Sequence, residues 1–209
     1  MKSILLILIL SAFSILPSWG QSGKLFNTDT QLSSNLATQV FQDRSGFIWI
    51  ATRNGLNAYD GYHISIMKKE LANSQGLNSN YINCITQDDK GHIILGTNNS
   101  LLAFTGSEFR KIPMLDPKGK ELTTYVTQVY RLRNKDIAVG TSGYGILLKK
   151  PDVQECHAMK GDVEKLKHIH KLLEDKQGRL WIITEDGRLH RKETNGKITS
   201  RFHGTEGLT

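Results

Sequence analysis

Cysteine and proline are scarce in this chain of 209 residues, with two and four copies. Two thiols cannot build a disulfide framework, and Cys84 and Cys156 fall in different copies of the repeat described below, so both are expected to be free. A zinc site needs more ligands at closer spacing, and no metal or other cofactor is expected. Only one long apolar run occurs, Ile4 to Leu16 near the N-terminus. Charge of one sign is nowhere concentrated: the formal net charge is +7, but the excess is scattered over Lys68-Lys69, Arg131 to Lys135 and Lys149-Lys150. A nucleic-acid binder would carry a basic stripe with interleaved aromatics, so no nucleic-acid contact is expected.

Catalytic patterns are also missing. Gly143-Tyr144-Gly145 is too short for a phosphate loop and reads as a hairpin turn. Asp88-Asp89 lack the ligand series of a calcium loop. Glu185-Asp186 lie in a turn without a partner that would make a paired acid and base. His157 beside Cys156 is a loop pair, and His168 and His170 flank Ile169 on a strand. No Gly-x-Ser-x-Gly motif occurs. The sequence predicts no catalytic residue and no enzyme.

The apolar run itself has a short basic start at Lys2, ends at Pro17, and is followed by Ser18-Trp19-Gly20. These are the parts of a secretory signal peptide over residues 1–20, with the mature chain beginning at Gln21. At thirteen residues the run is shorter than the ~20 needed to span a bilayer, and no later segment could do so. Export is therefore expected.

The strongest feature is internal repetition. One copy runs from Leu32 to Gly61, and a second follows 45 residues later without a gap: Asp43 maps to Asp88, Gly46 to Gly91, Thr52 to Thr97 and Tyr59 to Phe104. A third is weaker, its turn changed to Arg131-Leu132-Arg133-Asn134-Lys135, with Thr141 in the place of Thr97. The fourth is clear, with Asp175, Gly178, Trp181, Thr184 and Gly187 each 132 residues after their counterparts Asp43, Gly46, Trp49, Thr52 and Gly55. Gly207-Leu208-Thr209 resembles the start of a fifth.

Each copy parses into four strands. In the first these are 38–42, 47–51, 56–59 and 62–67, divided by an Asp-x-x-Gly turn and an Asn54-Gly55 hairpin. Val163 to Leu173 has some helical periodicity, but the register makes 168–174 the first strand of the fourth copy. Four strands per ~45 residues make a β-propeller blade. The expected fold is all-β, with blades at about 32–76, 77–121, 122–165 and 166–207 forming an incomplete propeller across residues 21–209. Trp49 and Trp181 are expected to fill space between stacked blades, and the recurrent threonines to bond neighbouring backbone.

The run Gln42 to Gly61, with the preceding Leu32 to Asn35, resembles the two-component regulator propeller repeat. That resemblance implies the periplasmic sensor region of a hybrid two-component histidine kinase of the Bacteroidetes type, recognising oligosaccharides from polysaccharide breakdown. No kinase, receiver or DNA-binding domain accompanies it here, so the chain reads as an N-terminal fragment or the product of a split frame. A four-bladed ring, or a ring assembled from two chains, is the alternative. Residues 24–27 are a candidate closing strand for the last blade. Tyr62 and Tyr144 are candidate stacking platforms for sugars, and the expected partners are an oligosaccharide, a second copy, or the remaining blades of a split sensor. A secreted interaction module and a propeller lyase are the other readings. The lyase would need His, Glu or Tyr residues converging on the channel, and the sequence presents no recognisable set.

Overall fold

The computed structural model describes residue 23 and residues 25–70, 76–161, 163 and 166–201. The expected signal peptide and the expected beginning of a fifth copy lie outside these residues. The described chain is almost entirely β, apart from one short 3-10 turn at Thr28–Thr30.

Blade 1 comprises β1 (Ala37–Gln42), β2 (Ile48–Thr52), β3 (Gly55–Tyr59) and β4 (Ile64–Met67), paired antiparallel in sequence order. Blade 2 repeats this with β5 (Ile82–Gln87), β6 (Ile93–Thr97), β7 (Leu101–Phe104) and β8 (Phe109–Ile112). A short strand, β9 (Met114–Leu115), follows. It joins blade 3, whose other strands are β10 (Val126–Arg131), β11 (Ile137–Thr141), β12 (Ile146–Lys149) and β13 (Cys156–Ala158). Blade 4 comprises β14 (Ile169–Glu174), β15 (Leu180–Thr184), β16 (Leu189–Lys192) and β17 (Ile198–Arg201).

One local expectation is corrected. Blade 3 has five strands, because β9 pairs in parallel with β13 at the outer edge, Met114 opposite Cys156. The buried Met114 covers an edge that would otherwise present open backbone. Residues 25–27 form no strand; Phe26 packs edge-on against Tyr59 at 4.9 Å between ring centroids.

The repeat signature has a concrete basis. Asp43 Oδ1 accepts hydrogen bonds from the backbone N–H groups of Ser45 and Phe47, while Oδ2 accepts one from Trp49 Nε1 at 2.8 Å. One carboxylate thus closes the turn and fixes the indole of the next strand. Asp175 does the same for Gln177, Arg179 and Trp181. In blade 2, His92 Nδ1 takes the place of the indole, 3.1 Å from Asp88 Oδ2. Gly46, Gly91 and Gly178 complete these turns at φ of 93°, 92° and 76°, a region that side chains penalise. The degenerate third turn keeps this backbone without glycine, with Lys135 at φ 74°.

The recurrent threonines close the other hairpin. Thr52 Oγ1 donates to Gly55 O and Thr141 Oγ1 to Gly145 O, both at 2.8 Å, while Thr97 and Thr184 reach Ser100 O and Arg188 O. The core lies between blades, in three clusters. Trp49, Ala51 and Leu56 meet Ile82, Ile85 and Leu95; Ile94 and Leu101 meet Val126 and Val139; Ala138 and Ile146 meet Ile169, Leu172 and Ile182. Each such aliphatic side chain contributes about 1.5–3 kcal/mol when fully buried. Stacking therefore outweighs the ion pairs at the blade edges, worth about 0–1 kcal/mol apiece.

The axial cavity as candidate functional site

The first strand of every blade carries the same irregularity. Pairing skips one residue between Ala37 and Gln39, Ile82 and Cys84, Val126 and Gln128, and Ile169 and Lys171. The skipped residues, Thr38, Asn83, Thr127 and His170, occupy one repeat position. A bulge of this kind re-aims a side chain and occurs often beside functional sites. All four residues line one open cavity of about 440 Å³ at the end of the stack where the first strands begin.

Its polar lining is incompletely satisfied by the protein. Thr38 Oγ1 donates to Ile82 O at 2.6 Å and Asn83 Nδ2 to Val126 O at 3.0 Å. Asn83 Oδ1 and Thr127 Oγ1 are buried atoms without a hydrogen-bond partner in the protein. Leaving such an atom unpaired costs about 1–3 kcal/mol.

Aromatic and charged side chains form the rim. Tyr81 and Tyr125 stand one residue before β5 and β10, their rings edge to face at 6.4 Å. The Arg53 guanidinium lies 5.4 Å above the Tyr81 ring. Glu185 holds the position of Arg53 in blade 4, with Oε2 3.6 Å from His168 Nδ1. Leu36, Ala37 and Lys171 complete the lining. Burial raises the Tyr125 pKa, and neighbouring Tyr81 adds to the shift through its charge and a hydrogen bond. Tyr125 is therefore held as a neutral phenol, able to donate a hydrogen bond but poorly suited to act as a base.

The structure does not bring Tyr62 and Tyr144 together. Tyr62 is 84% exposed in the β3–β4 turn, at the opposite end of blade 1 from the cavity. Tyr144 lies in the β11–β12 turn and borders a separate hollow of about 100 Å³ with Asp116, Leu122 and Met159. His170, Glu185, Tyr81 and Tyr125 line one cavity, a grouping that the sequence does not present as a recognisable pattern. Trp49 is buried against Phe104, whereas Trp181 is half-buried between Arg179 and Arg191. Cys84 and Cys156 are free and buried, which pushes both thiols up to about 12. Among the described residues no group of three or more His, Cys, Asp and Glu is placed to hold a metal ion, and no helix is long and apolar enough to cross a membrane.

Comparison with solved structures supports this fold. The extracellular domain of a hybrid two-component system from B. thetaiotaomicron superposes with TM-score 0.67 at 17% identity, over 80% of this chain and 25% of that one. Virginiamycin B lyase from Staphylococcus aureus gives 0.59 at 16% identity, over 78% of this chain and 54% of the enzyme. PorZ, a surface component of the type-IX secretion system of Porphyromonas gingivalis, gives 0.57 at 20% identity, over 75% and 26%. The chain thus spans about a quarter of the length of the sensor domain, and at these identities the likeness is one of fold. No curated protein matches the sequence. The two-component regulator propeller family matches at residues 31–54, 76–99 and 165–186. Three of the four blades thus carry the two-component regulator propeller repeat.

Proposed function

We propose that this chain is an exported, ligand-sensing propeller segment of a two-component regulator of the hybrid histidine kinase type, and that its axial cavity recognises an oligosaccharide in the periplasm. The observation that carries this reading is the ring of Thr38, Asn83, Thr127 and His170 beneath the Tyr81–Tyr125 rim. Sugars present hydroxyl groups on both edges and apolar C–H faces. The amide, hydroxyl, imidazole and charged groups of the lining suit the former, and tyrosine rings suit the latter. Kinase chemistry would belong to other parts of such a regulator, and this segment would bind without turning over its ligand.

Titration calorimetry against a panel of plant and host oligosaccharides tests this. At least one is expected to bind, and Tyr125→Ala is expected to weaken it about tenfold, a change of ~1.4 kcal/mol, while leaving the fold intact. Absence of binding across the panel, or binding unaffected by Tyr125→Ala, contradicts the reading.

One observation favours a second reading, a propeller lyase: His170, Glu185, Tyr81 and Tyr125 share a cavity, and virginiamycin B lyase has a similar fold. The raised pKa of Tyr125 weighs against it as a base. Turnover of a bound ligand that His170→Ala abolishes would favour the lyase. A free-standing interaction module remains the reading if only protein partners are recovered from periplasm.

A further inference from the structure

The junction between blades 2 and 3 buries a cation where the preceding junction buries aromatic rings. Between blades 1 and 2, Trp49 packs edge-on against Phe104, which in turn packs against Phe109. One blade later the positions of Trp49 and Phe104 are held by Ile94 and Lys149: Ile94 follows Trp49 by the 45-residue repeat, and Lys149 pairs with Ile137 as Phe104 pairs with Ile93. A hollow of about 80 Å³ lies at this junction. It sits beside the turn after β5, at the end of the blades opposite the axial cavity.

Lys149 is only 7% exposed. Nζ donates one long hydrogen bond, to Lys150 O at 3.4 Å, and among the described residues Lys149 forms no ion pair. An ammonium carries three donors. A buried one with a single long bond is short of acceptors, and burying an unpaired charge is costly.

The rest of the lining has the same sign. Lys90, Arg110 and Lys111 face the hollow with His92, against one carboxylate, Asp88. Asp88 is already engaged: Oδ1 accepts from the backbone N–H groups of Lys90 and His92, and Oδ2 lies 3.1 Å from His92 Nδ1. Lys90, Arg110 and Lys111 pair outward with Asp152, Glu108 and Glu121, and their side chains are 49–68% exposed. Exposed pairs of this kind are weak, so each cation is free to turn to a better acceptor.

We propose that this hollow binds a sulfate or phosphate group, held by Lys149 from within and by Lys90, Arg110 and Lys111 at its mouth. Its volume suits a group of a few atoms, whereas the axial cavity is about 440 Å³. A tetrahedral oxyanion presents oxygens in several directions at once, which matches cations arriving from two blades and the loop between β12 and β13. The hollow shares no residue with the axial cavity, and the proposal does not rest on sugar recognition there. The free ion and a sulfate or phosphate ester on a larger ligand offer the same chemistry, and the experiment separates them.

Titration calorimetry of the full chain with sodium sulfate and with sodium phosphate, at low ionic strength against matched chloride, tests this. At least one ion is expected to bind. Lys149→Met keeps the apolar stem and removes the charge. It should weaken binding about tenfold or more and erase the rise in melting temperature that the ion gives the wild type over chloride. Arg110→Gln, at an exposed position, should weaken binding about threefold. Lys192→Met, at the same repeat position in blade 4, should leave binding unchanged. Galactose sulfate, with galactose as its control, separates the two sources. Binding tighter than that of sulfate and lost in Lys149→Met assigns the group to a larger ligand; binding no tighter assigns it to the free ion. Failure of both ions to bind beyond chloride, or equal losses in Lys149→Met and Lys192→Met, would overturn the proposal. Undiminished binding by Lys149→Met, or by Arg110→Gln should Lys149→Met not fold, would do the same.

Discussion

At the residue scale, one carboxylate in each of blades 1, 2 and 4 carries much of the local order. Burial opposes ionisation of Asp175, but hydrogen bonds from Trp181 and from the backbone and side chain of Arg179 outweigh it and hold its carboxyl well below the usual carboxylate range. A depressed native pKa means that the stabilisation is present above the unfolded value of about 3.9 and is lost as pH falls through the lower native value. Asp175→Asn should therefore lower the melting temperature at neutral pH. The difference from wild type should persist as pH is lowered to about 4 and shrink only in stronger acid. A difference that vanished between pH 7 and 5 would contradict this account. The role of Asp175 was legible in part, since Asp, Gly and Trp recur at fixed spacing; that the indole bonds the turn carboxylate was not, because spacing does not reveal where an N–H points.

At the scale of elements, the first strand of each blade does two jobs. It pairs with its neighbour and, through its bulge, turns one residue toward the axis. Inter-blade order comes from the same strand: the Gln39 side chain brackets Ile85, donating to its carbonyl at 3.1 Å and accepting from its N–H at 3.0 Å, and Gln128 brackets Leu172 likewise. Gly96 and Gly140 allow the close approach that this geometry needs. Gly96→Ala should destabilise the chain by about 1–3 kcal/mol in urea unfolding through overpacking against Cys84 and Val126. A neutral result would show that the junction is looser than described. Strand order and hairpins were readable from alternation and turn residues. The bulges were not, because they are a backbone property and the residues that mark them are chemically unlike: two threonines, an asparagine and a histidine. β9 escaped notice because a two-residue strand outside the repeat leaves no periodicity to detect.

At the scale of the whole molecule, the fold was legible because the repeat is long-range information that local ambiguity cannot erase. It assigned 168–174 to a strand where short-range periodicity suggested a helix, and β14 spans Ile169–Glu174. The site was largely illegible because it belongs to no single repeat. Tyr81, Tyr125, His170 and Glu185 come from three blades and meet only at the axis. Tyr62 and Tyr144 drew attention as loop aromatics, yet what places a residue at the axis is its position before or within the first strand of its blade or, for Arg53 and Glu185, directly after the second.

The most direct test of the central claim is chemical-shift mapping of the isotope-labelled chain with an oligosaccharide identified by calorimetry. Perturbations should converge on Thr38, Asn83, Thr127 and His170 and on the rim residues Arg53, Tyr81 and Tyr125. Shifts confined to the outer strands or to the turns bearing Tyr62 and Tyr144, with the four axial residues unmoved, would contradict it.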